Sequence, residues 1–188
     1  MKGLKDVAKK IITKGANIDL GDCHDRTPLH HAAMNDHMEV VQLLIMKKAE
    51  VDPIDCLKRT PLHYAAMKGL KDVAKKIITK GANLDLGDCH DRTPLHHAAM
   101  NDHMEVVELL IAKKAKVNPR DGLRRTPLHY AAENGNVQIV QILVNNGASL
   151  SIKDYRNQTP YQIASKNNKE KVADYLKEVE EKTRHGHK

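Results

Sequence analysis

The amino-acid sequence predicts an all-α solenoid made of stacked helix pairs, and three observations lead to this prediction. A Thr-Pro dipeptide recurs every 33 residues along the chain, at Thr27, Thr60, Thr93, Thr126 and Thr159. Between these dipeptides, apolar residues follow helical spacing, for example at Leu70, Val73, Ala74, Ile77 and Ile78. The 188 residues include no Phe and no Trp, so the core must consist of aliphatic residues and Met, which favours helix packing over an aromatic-rich β-sandwich.

The first, or inner, helix of each unit begins at the Thr-Pro dipeptide. Thr27 is a favourable N-cap residue, and Pro28 suits the first helical position. His30 then falls at the third helical position, from which its imidazole can reach back to the cap as in a capping box. We therefore expect His30 and its equivalents His63, His96 and His129 to be structural.

The second, or outer, helix of each unit ends at a turn. Gly15, Gly81 and Gly147 suit the left-handed conformation that closes a helix. Lys48 and Lys114 replace this glycine in two repeats. A non-Gly residue in the left-handed region costs about 1 to 2 kcal/mol, so these two turns are expected to be either strained or closed differently. Core positions are expected to form one continuous row through the repeats, beginning with Leu29, Ala32, Leu43 and Leu44.

The recurring segment TPLHxAA, with xGA further along, resembles the ankyrin repeat. The full pattern stands at residues 121–149 as DGLRRTPLHYAAENGNVQIVQILVNNGAS, and the resemblance covers essentially the entire chain. It implies one domain, 1–188, of about four full repeats between an N-terminal half repeat and a C-terminal cap. The expected boundaries are a half repeat at 1–21, repeats at 22–54, 55–87, 88–120 and 121–153, a cap at 154–182 and a frayed tail at 183–188.

The chain also contains a longer repeat. Residues 1–66 align with residues 67–132 without gaps and differ at eight positions, namely 18, 42, 46, 50, 52, 54, 56 and 58. Such near-identity indicates either a recent duplication or an engineered chain. Because the array starts in mid-repeat, we expect either a fragment of a longer array or a single helix that serves as a cap.

Charge and cysteine content restrict the compartment and the partner. Lys and Arg number 31 against 24 Asp and Glu, and the resulting net charge of +7 would attract anionic partners. Three Cys are far too few for a secreted disulfide scaffold, so we expect reduced thiols in the cytoplasm or nucleus. No apolar stretch approaches the roughly 20 residues needed to span a bilayer, and we see no signal peptide.

The Asp-Cys-His-Asp segments at 22–25 and 88–91 contain residue types that can bind a metal ion or take part in catalysis. Cys23, Cys56 and Cys89 occupy the same position in successive repeats, and packed helices hold such positions about 10 Å apart. They should therefore neither converge on one zinc ion nor form a disulfide. No nucleophile, base and orienting group occur together in a single place, so we predict no metal, no cofactor and no enzymatic activity.

The resemblance implies that the loop tips and the ends of the inner helices form a concave surface that binds another protein. Four arginines in register on this surface suit acidic partners, and three methionines could add adaptable apolar contacts. The expected contact residues are His24, Arg26, Met34, Asn35, Leu57, Arg59, Met67, Lys68, His90, Arg92, Met100, Asn101, Leu123, Arg125, Glu133, Asn134, Tyr155 and Arg156.

The arginine row also has a purely structural interpretation. Its members could pair with loop carboxylates, namely Asp25, Asp55, Asp91 and Asp121. Surface pairs of this kind contribute only about 0 to 1 kcal/mol. Replacing Arg59 and Arg92 by Glu is therefore expected to leave folding intact while weakening partner binding.

The sequence thus predicts a monomeric, non-catalytic protein-binding module whose partner carries acidic residues. One alternative is a binder of anions or nucleic acid through the arginine row. Nucleic acid is the less expected partner, because Tyr64 and Tyr130 lie on inner helices and not at loop tips, where bases could stack. A second alternative is a structural or engineered repeat protein without an evolved partner.

Overall fold

The computed structural model describes residues 2–185, and the side chains of residues 5–183. Within this range the chain forms eleven α-helices and no β-strand. None of these helices is long and apolar enough to cross a membrane. The helices are α1 (Lys2–Thr13), α2 (Pro28–Met34), α3 (Met38–Met46), α4 (Pro61–Met67), α5 (Lys71–Thr79), α6 (Pro94–Met100), α7 (Met104–Ala112), α8 (Pro127–Asn134), α9 (Val137–Asn145), α10 (Pro160–Lys166) and α11 (Glu170–His185).

The helices form two layers. The inner layer consists of α2, α4, α6, α8 and α10, each of which packs against the next. The outer layer consists of α1, α3, α5, α7, α9 and α11, which also contact one another in order. Each inner helix packs on the outer helix that follows it in the chain. The predicted helical solenoid is therefore confirmed.

The inner helices begin as predicted, with a capping box at each Thr-Pro dipeptide. In α2 the backbone N–H of Thr27 donates to Nδ1 of His30 at 3.0 Å. In α10 the same contact is made by Oε1 of Gln162, which accepts from the N–H of Thr159 at 2.9 Å. The structural role of the TPLH histidines is thus confirmed, and the cap accepts either side chain.

The same histidines also connect neighbouring repeats. Because Nδ1 accepts the cap hydrogen bond, Nε2 carries the proton and donates to a backbone carbonyl in the next repeat. His30 donates to the carbonyl of Arg59 at 2.8 Å, and His63 to that of Arg92 at 3.0 Å. His96 and His129 repeat this pattern further along the array. Each histidine therefore fixes both the start of its own helix and the loop of the next repeat.

Burial of these imidazoles predicts a stability that depends on pH. Desolvation, with a smaller contribution from the nearby His97, lowers the pKa of His63 and of His96 from 6.5 to about 4. Between pH 6.5 and about 4 the unfolded chain therefore binds more protons than the folded chain, so acid favours unfolding. Each histidine should contribute up to about 1.4 kcal/mol per pH unit in that window. Its contribution is complete above pH 6.5 and decreases as the pH falls.

His63→Gln tests this dependence, because glutamine occupies the cap in α10 and does not titrate. Losing the hydrogen bond to Arg92 should cost about 0.5 to 1.5 kcal/mol at pH 7.5. The decline in stability from pH 6.5 to 4, measured by urea unfolding, should be shallower than in the parent protein. An unchanged slope would contradict the role assigned to the buried imidazole.

The core follows the predicted rows with one exception. Leu29, Ala32 and Leu44 are at most 2% exposed, and their rows continue through the array. Leu43 is buried, but its equivalents Lys76, Leu109 and Ile142 are only half-buried, and Lys10 is exposed. The prediction of a continuous core at the Leu43 position is therefore wrong, because this position lies at the edge of the outer layer.

The backbone bears on two local expectations, the turns at Lys48 and Lys114 and the end of the last helix. Lys48 and Lys114 have φ of 64° and 68°, so both turns adopt the left-handed conformation and do not close differently. The cap prediction placed the end of the last helix at 182, but α11 continues to His185. Lys182 pairs with Glu178 at 2.6 Å, and no Gly or Pro interrupts the helix before 186. Residues 183–185 of the expected tail are thus helical, whereas residues 1 and 186–188 lie outside the described residues.

Candidate partner-binding surface

Each loop before an inner helix is organised by one aspartate. In the second loop, Oδ1 of Asp55 accepts the backbone N–H groups of Leu57 and Arg59, both at 2.8 Å. This contact recurs in every loop, and it explains why the chain turns at the same place in each repeat. The aspartates are Asp22, Asp55, Asp88, Asp121 and Asp154.

Adjacent loops are held in register by backbone hydrogen bonds. The N–H of Cys56 donates to the carbonyl of His24 at 3.0 Å, and the N–H of Gly122 donates to that of His90 at 2.9 Å. The loops of the remaining repeats are joined in the same way. The loop tips therefore form one continuous row, in which each loop is hydrogen-bonded to the next.

The second oxygen of each buried loop aspartate lies inside the solenoid. Oδ2 of Asp121 accepts the hydroxyl of Tyr130 at 2.5 Å. Burial and the hydrogen bond to Asp121 raise the pKa of Tyr130 to about 12, so the phenol stays protonated and can donate. Oδ2 of Asp88 contacts Nε2 of His97 at 2.9 Å, both side chains being at most 2% exposed. Burial alone would raise the pKa of Asp88, but His97 and two backbone N–H groups lower it well below its ordinary value.

Arginines from the preceding repeat complete this arrangement. Nε of Arg59 lies 3.8 Å from Oδ2 of Asp88, and its guanidinium lies 5.8 Å from the centroid of the Tyr64 ring. The other three arginine–aspartate distances, for Arg26–Asp55, Arg92–Asp121 and Arg125–Asp154, are 3.9, 3.7 and 3.4 Å. The arginine side chains are 13 to 27% exposed. We call this alternation of arginine and buried aspartate the Arg–Asp ladder.

The ladder bears on two expectations about the arginine row. The arginines do pair with loop carboxylates, Asp55 and Asp121 among them, but each arginine contacts the aspartate of the following repeat. Asp25 and Asp91, two of the predicted partners, are exposed turn residues with φ of 60° and 58°. Replacing Arg59 and Arg92 by Glu would place a carboxylate beside a buried carboxylate, so the expectation of intact folding does not hold.

The other predicted contact residues occupy two kinds of position. Exposed loop tips present His24, Leu57, His90, Leu123, Tyr155 and Arg156. At the ends of the inner helices, Asn35, Lys68 and Asn101 are exposed, and Met34, Met67 and Met100 are half-buried. Glu133 and Asn134 differ from these, because Glu133 pairs with Arg125 at 2.8 Å and Asn134 donates to the carbonyl of Met100 at 2.8 Å. Whether any of these residues binds a partner stays a prediction.

One group among the described residues places three metal-ligand types close together. The ligand atoms of Asp22, Cys23 and His24 lie within 4.8 Å of one another, and all three residues are exposed. Both carboxylate oxygens of Asp22 already have partners. Oδ1 accepts two backbone hydrogen bonds, and Oδ2 contacts Nε2 of His31 at 2.9 Å. The backbone hydrogen bonds, followed by His31, lower the pKa of Asp22 to about 2. The thiols of Cys23, Cys56 and Cys89 are exposed and form no disulfide.

Comparison with known families agrees with this architecture. The family described as ankyrin repeats (3 copies) matches residues 1–88, 56–121 and 115–185. The chain belongs to the ankyrin-repeat family. No curated protein shows significant similarity to it. Ankyrin repeats are generally protein–protein interaction modules, and the family is typically non-enzymatic.

Sequence reasoning missed the Arg–Asp ladder of this ankyrin-repeat chain, although a signal was present. The aspartate stands five residues before the Thr of every Thr-Pro dipeptide, from Asp22 and Thr27 to Asp154 and Thr159. An acidic residue with an invariant position in all five loops indicates a structural role. Its burial and its partner in the neighbouring repeat became visible only in the folded chain.

Proposed function

We propose that this ankyrin-repeat chain is a non-catalytic scaffold that binds a partner protein along the loop tips and the inner-helix ends. The observation that carries the proposal is the register of the loops. Four backbone hydrogen bonds of 2.9 to 3.0 Å join consecutive loops, so side chains that point outward are held on a rigid base. A rigid surface loses little conformational entropy on binding, which favours specific recognition.

The composition of this surface supports a partner with both apolar and acidic groups. Exposed apolar side chains at the loop tips include Leu57, Leu123 and Tyr155, which are 36%, 39% and 48% exposed. Lys58, Arg124 and Arg156 stand next to them in sequence and are exposed as well. Apolar groups beside cations are typical of surfaces that recognise peptide chains with carboxylates. The half-buried methionines of α2, α4 and α6 would extend the apolar part of this surface.

The alternative of nucleic-acid binding through the arginine row is less well supported. Each guanidinium of that row lies near a buried aspartate and near a tyrosine ring. At most 27% of each arginine side chain is exposed. A phosphate backbone would have to displace these contacts. We therefore assign the arginines chiefly to the scaffold, and the partner contacts to the exposed residues around them.

Site-specific photo-crosslinking in cells tests the proposed surface. A photoreactive amino acid placed at Leu57 or at His90, both on loop tips, should yield the same protein adduct. The matched controls are exposed outer-helix positions, Lys75 and Gln141, which should not yield that adduct. Equal yield of that adduct at the control positions, or nuclease-sensitive adducts at the loop tips, would contradict the proposal.

A further inference from the structure

The two copies of the 66-residue unit differ almost entirely within one segment. Seven of the eight differences lie at positions 42–58 of the first copy, which correspond to 108–124 of the second. The seven residues at these positions in the second copy are all exposed, namely Glu108, Ala112, Lys116, Asn118, Arg120, Gly122 and Arg124. These seven differences thus fall at exposed positions of one segment, whereas the buried positions are identical in the two copies.

These differences change the charge of the surface. Glu50, Asp52 and Ile54 of the first copy correspond to Lys116, Asn118 and Arg120 of the second. The loop of the second copy therefore loses two carboxylates and gains two cations. We call the exposed cations of this segment the basic loop; they are Lys113, Lys114, Lys116, Arg120 and Arg124.

The fold does not require the changed residues. Asp52 accepts the N–H of Asn83 at 2.8 Å, and Asn118 accepts the equivalent N–H of Ser149 at 2.8 Å. Cys56 and Gly122 likewise donate from equivalent backbone positions. Both copies thus have the same loop geometry, although their charge differs.

No ion pair among the described residues neutralises the basic loop; Oδ1 of Asp85 accepts the backbone N–H of Lys116 at 2.9 Å, as Asp19 does for Glu50 in the first copy. Among the residues that the structure describes, Lys113, Lys114, Lys116 and Arg124 form no ion pair, and Arg120 contacts only the backbone carbonyl of Lys153, at 3.5 Å. The lysines at 113 and 114 also suit the C-terminal end of the α7 dipole. That explanation applies equally to Lys47 and Lys48 in the first copy, so it does not account for the difference between the copies.

Neighbouring residues indicate which anion fits. Leu123 lies within the same loop segment, and Tyr155 follows at the next loop tip, where its N–H donates to the carbonyl of Leu123 at 3.0 Å. Both side chains are exposed. A nucleic acid would instead require successive aromatic platforms or a wider row of cations that follows its phosphates. The combination of cations with exposed apolar groups favours a peptide.

We propose that the basic loop binds an acidic segment of the partner protein, with carboxylates next to apolar residues, and that the equivalent loop of the first copy does not. This inference rests on the proposed function, because it names the part of the partner that the scaffold recognises. The main electrostatic contact with the partner is then made by the basic loop, between the third and fourth repeats, and not by the arginine row.

The two copies of the unit supply matched variants for the test. In the first variant, Lys116→Glu, Asn118→Asp and Arg120→Ile convert the second loop into the first. In the second variant, Glu50→Lys, Asp52→Asn and Ile54→Arg convert the first loop into the second. A charge control, Lys9→Glu with Lys75→Glu, makes the same change in net charge as the first variant on exposed outer-helix positions. Circular dichroism and urea unfolding should show all variants to be folded.

The probe is a fluorescent peptide with the repeating sequence Glu-Glu-Leu, titrated at physiological salt. We expect the affinity of the first variant for this peptide to fall on the order of tenfold. The affinity of the charge control should stay within about twofold of that of the parent protein. The second variant should bind two peptides in place of one. Equal weakening in the charge control would overturn the inference, since the overall field would then explain binding.

A single-stranded DNA oligomer is the competing probe. Tighter binding of this oligomer than of the peptide, with the same loss in the first variant, would overturn the choice of an acidic peptide. The loop-tip crosslinks separate this inference from the proposed function. If the protein adduct forms equally with the first variant, the basic loop is not the recognition site and the scaffold function stands. If no protein adduct forms at any loop tip, the proposed function itself fails.

Discussion

Replacing Asp88 by Ala is expected to lower the free energy of unfolding by about 3 to 5 kcal/mol, because it breaks a buried ionic network. Oδ1 of Asp88 accepts the backbone N–H groups of His90 and Arg92 at 2.9 and 3.0 Å. Oδ2 contacts His97 at 2.9 Å and lies 3.8 Å from Nε of Arg59. The alanine variant would leave all four groups without this partner, and both the His97 side chain and Nε of Arg59 are buried. Urea unfolding at pH 7.5 measures the loss.

The first copy of the unit again provides the control. Asp22 stands at the position of Asp88 in the first copy and makes the same loop hydrogen bonds, but it is exposed and has no arginine from a preceding repeat among the described residues. Asp22→Ala should therefore be clearly less destabilising than Asp88→Ala. Asp88→Asn, which retains the shape and the Oδ1 acceptor, should lie between them. Equal losses for Asp22→Ala and Asp88→Ala would show that burial and the Arg–Asp ladder contribute nothing beyond the turn itself.

Truncation of Leu44 to Ala is the second large effect, with an expected cost of about 2 to 5 kcal/mol. Leu44 is 2% exposed in the interior of α3, and its equivalents Ile77, Leu110 and Leu143 are completely buried. Removing its side chain leaves a cavity between the outer and inner layers, because packed helices relax only partly. Thermal or urea unfolding should show a lower midpoint with helical content retained at low denaturant.

Met46→Ala is the matched control on the same helix. Met46 is 67% exposed, and the second copy carries Ala112 at this position without any change in the turn that follows. Its replacement should change the free energy of unfolding by no more than about 0.5 kcal/mol. If Leu44→Ala were as mild as Met46→Ala, the assignment of the core rows to the interface between layers would be wrong.

Local sequence patterns were sufficient to predict most of the fold. The TPLH helix starts follow from chemistry within four residues, since Thr27, Pro28 and His30 form the cap by themselves. The turns at Gly15 and Gly81 follow from the freedom of glycine at positive φ. Regular recurrence of these short motifs predicted the stack, because identical units must bury their apolar faces against one another.

The candidate site was predicted less completely. Exposed loop tips such as His24 and His90 could be placed from the repeat pattern, because a loop between two helices has to lie at the surface. The surroundings of Arg59 could not, because its partner Asp88 lies 29 positions away and approaches only when repeats stack. The basic loop is visible in the sequence as part of the seven differences between the two copies at positions 42–58. Only the structure shows that all seven of these positions are exposed in the second copy.

The sequence by itself thus determined the helical repeat, its caps and its family, because these depend on contacts between residues close in the chain. The tertiary structure decided what the repeated polar residues do. Asp88 is a buried ion and Arg59 of the preceding repeat lies beside it, whereas Asp22, in a nearly identical local sequence, has no such arginine among the described residues and is exposed. Arg59 is likewise half-buried, with a buried carboxylate 3.8 Å from its Nε, while Lys116 and Arg120 are exposed. These residues differ because the neighbouring repeat determines how deeply each one is buried and which charge lies nearest to it. The sequence of a single repeat contains neither.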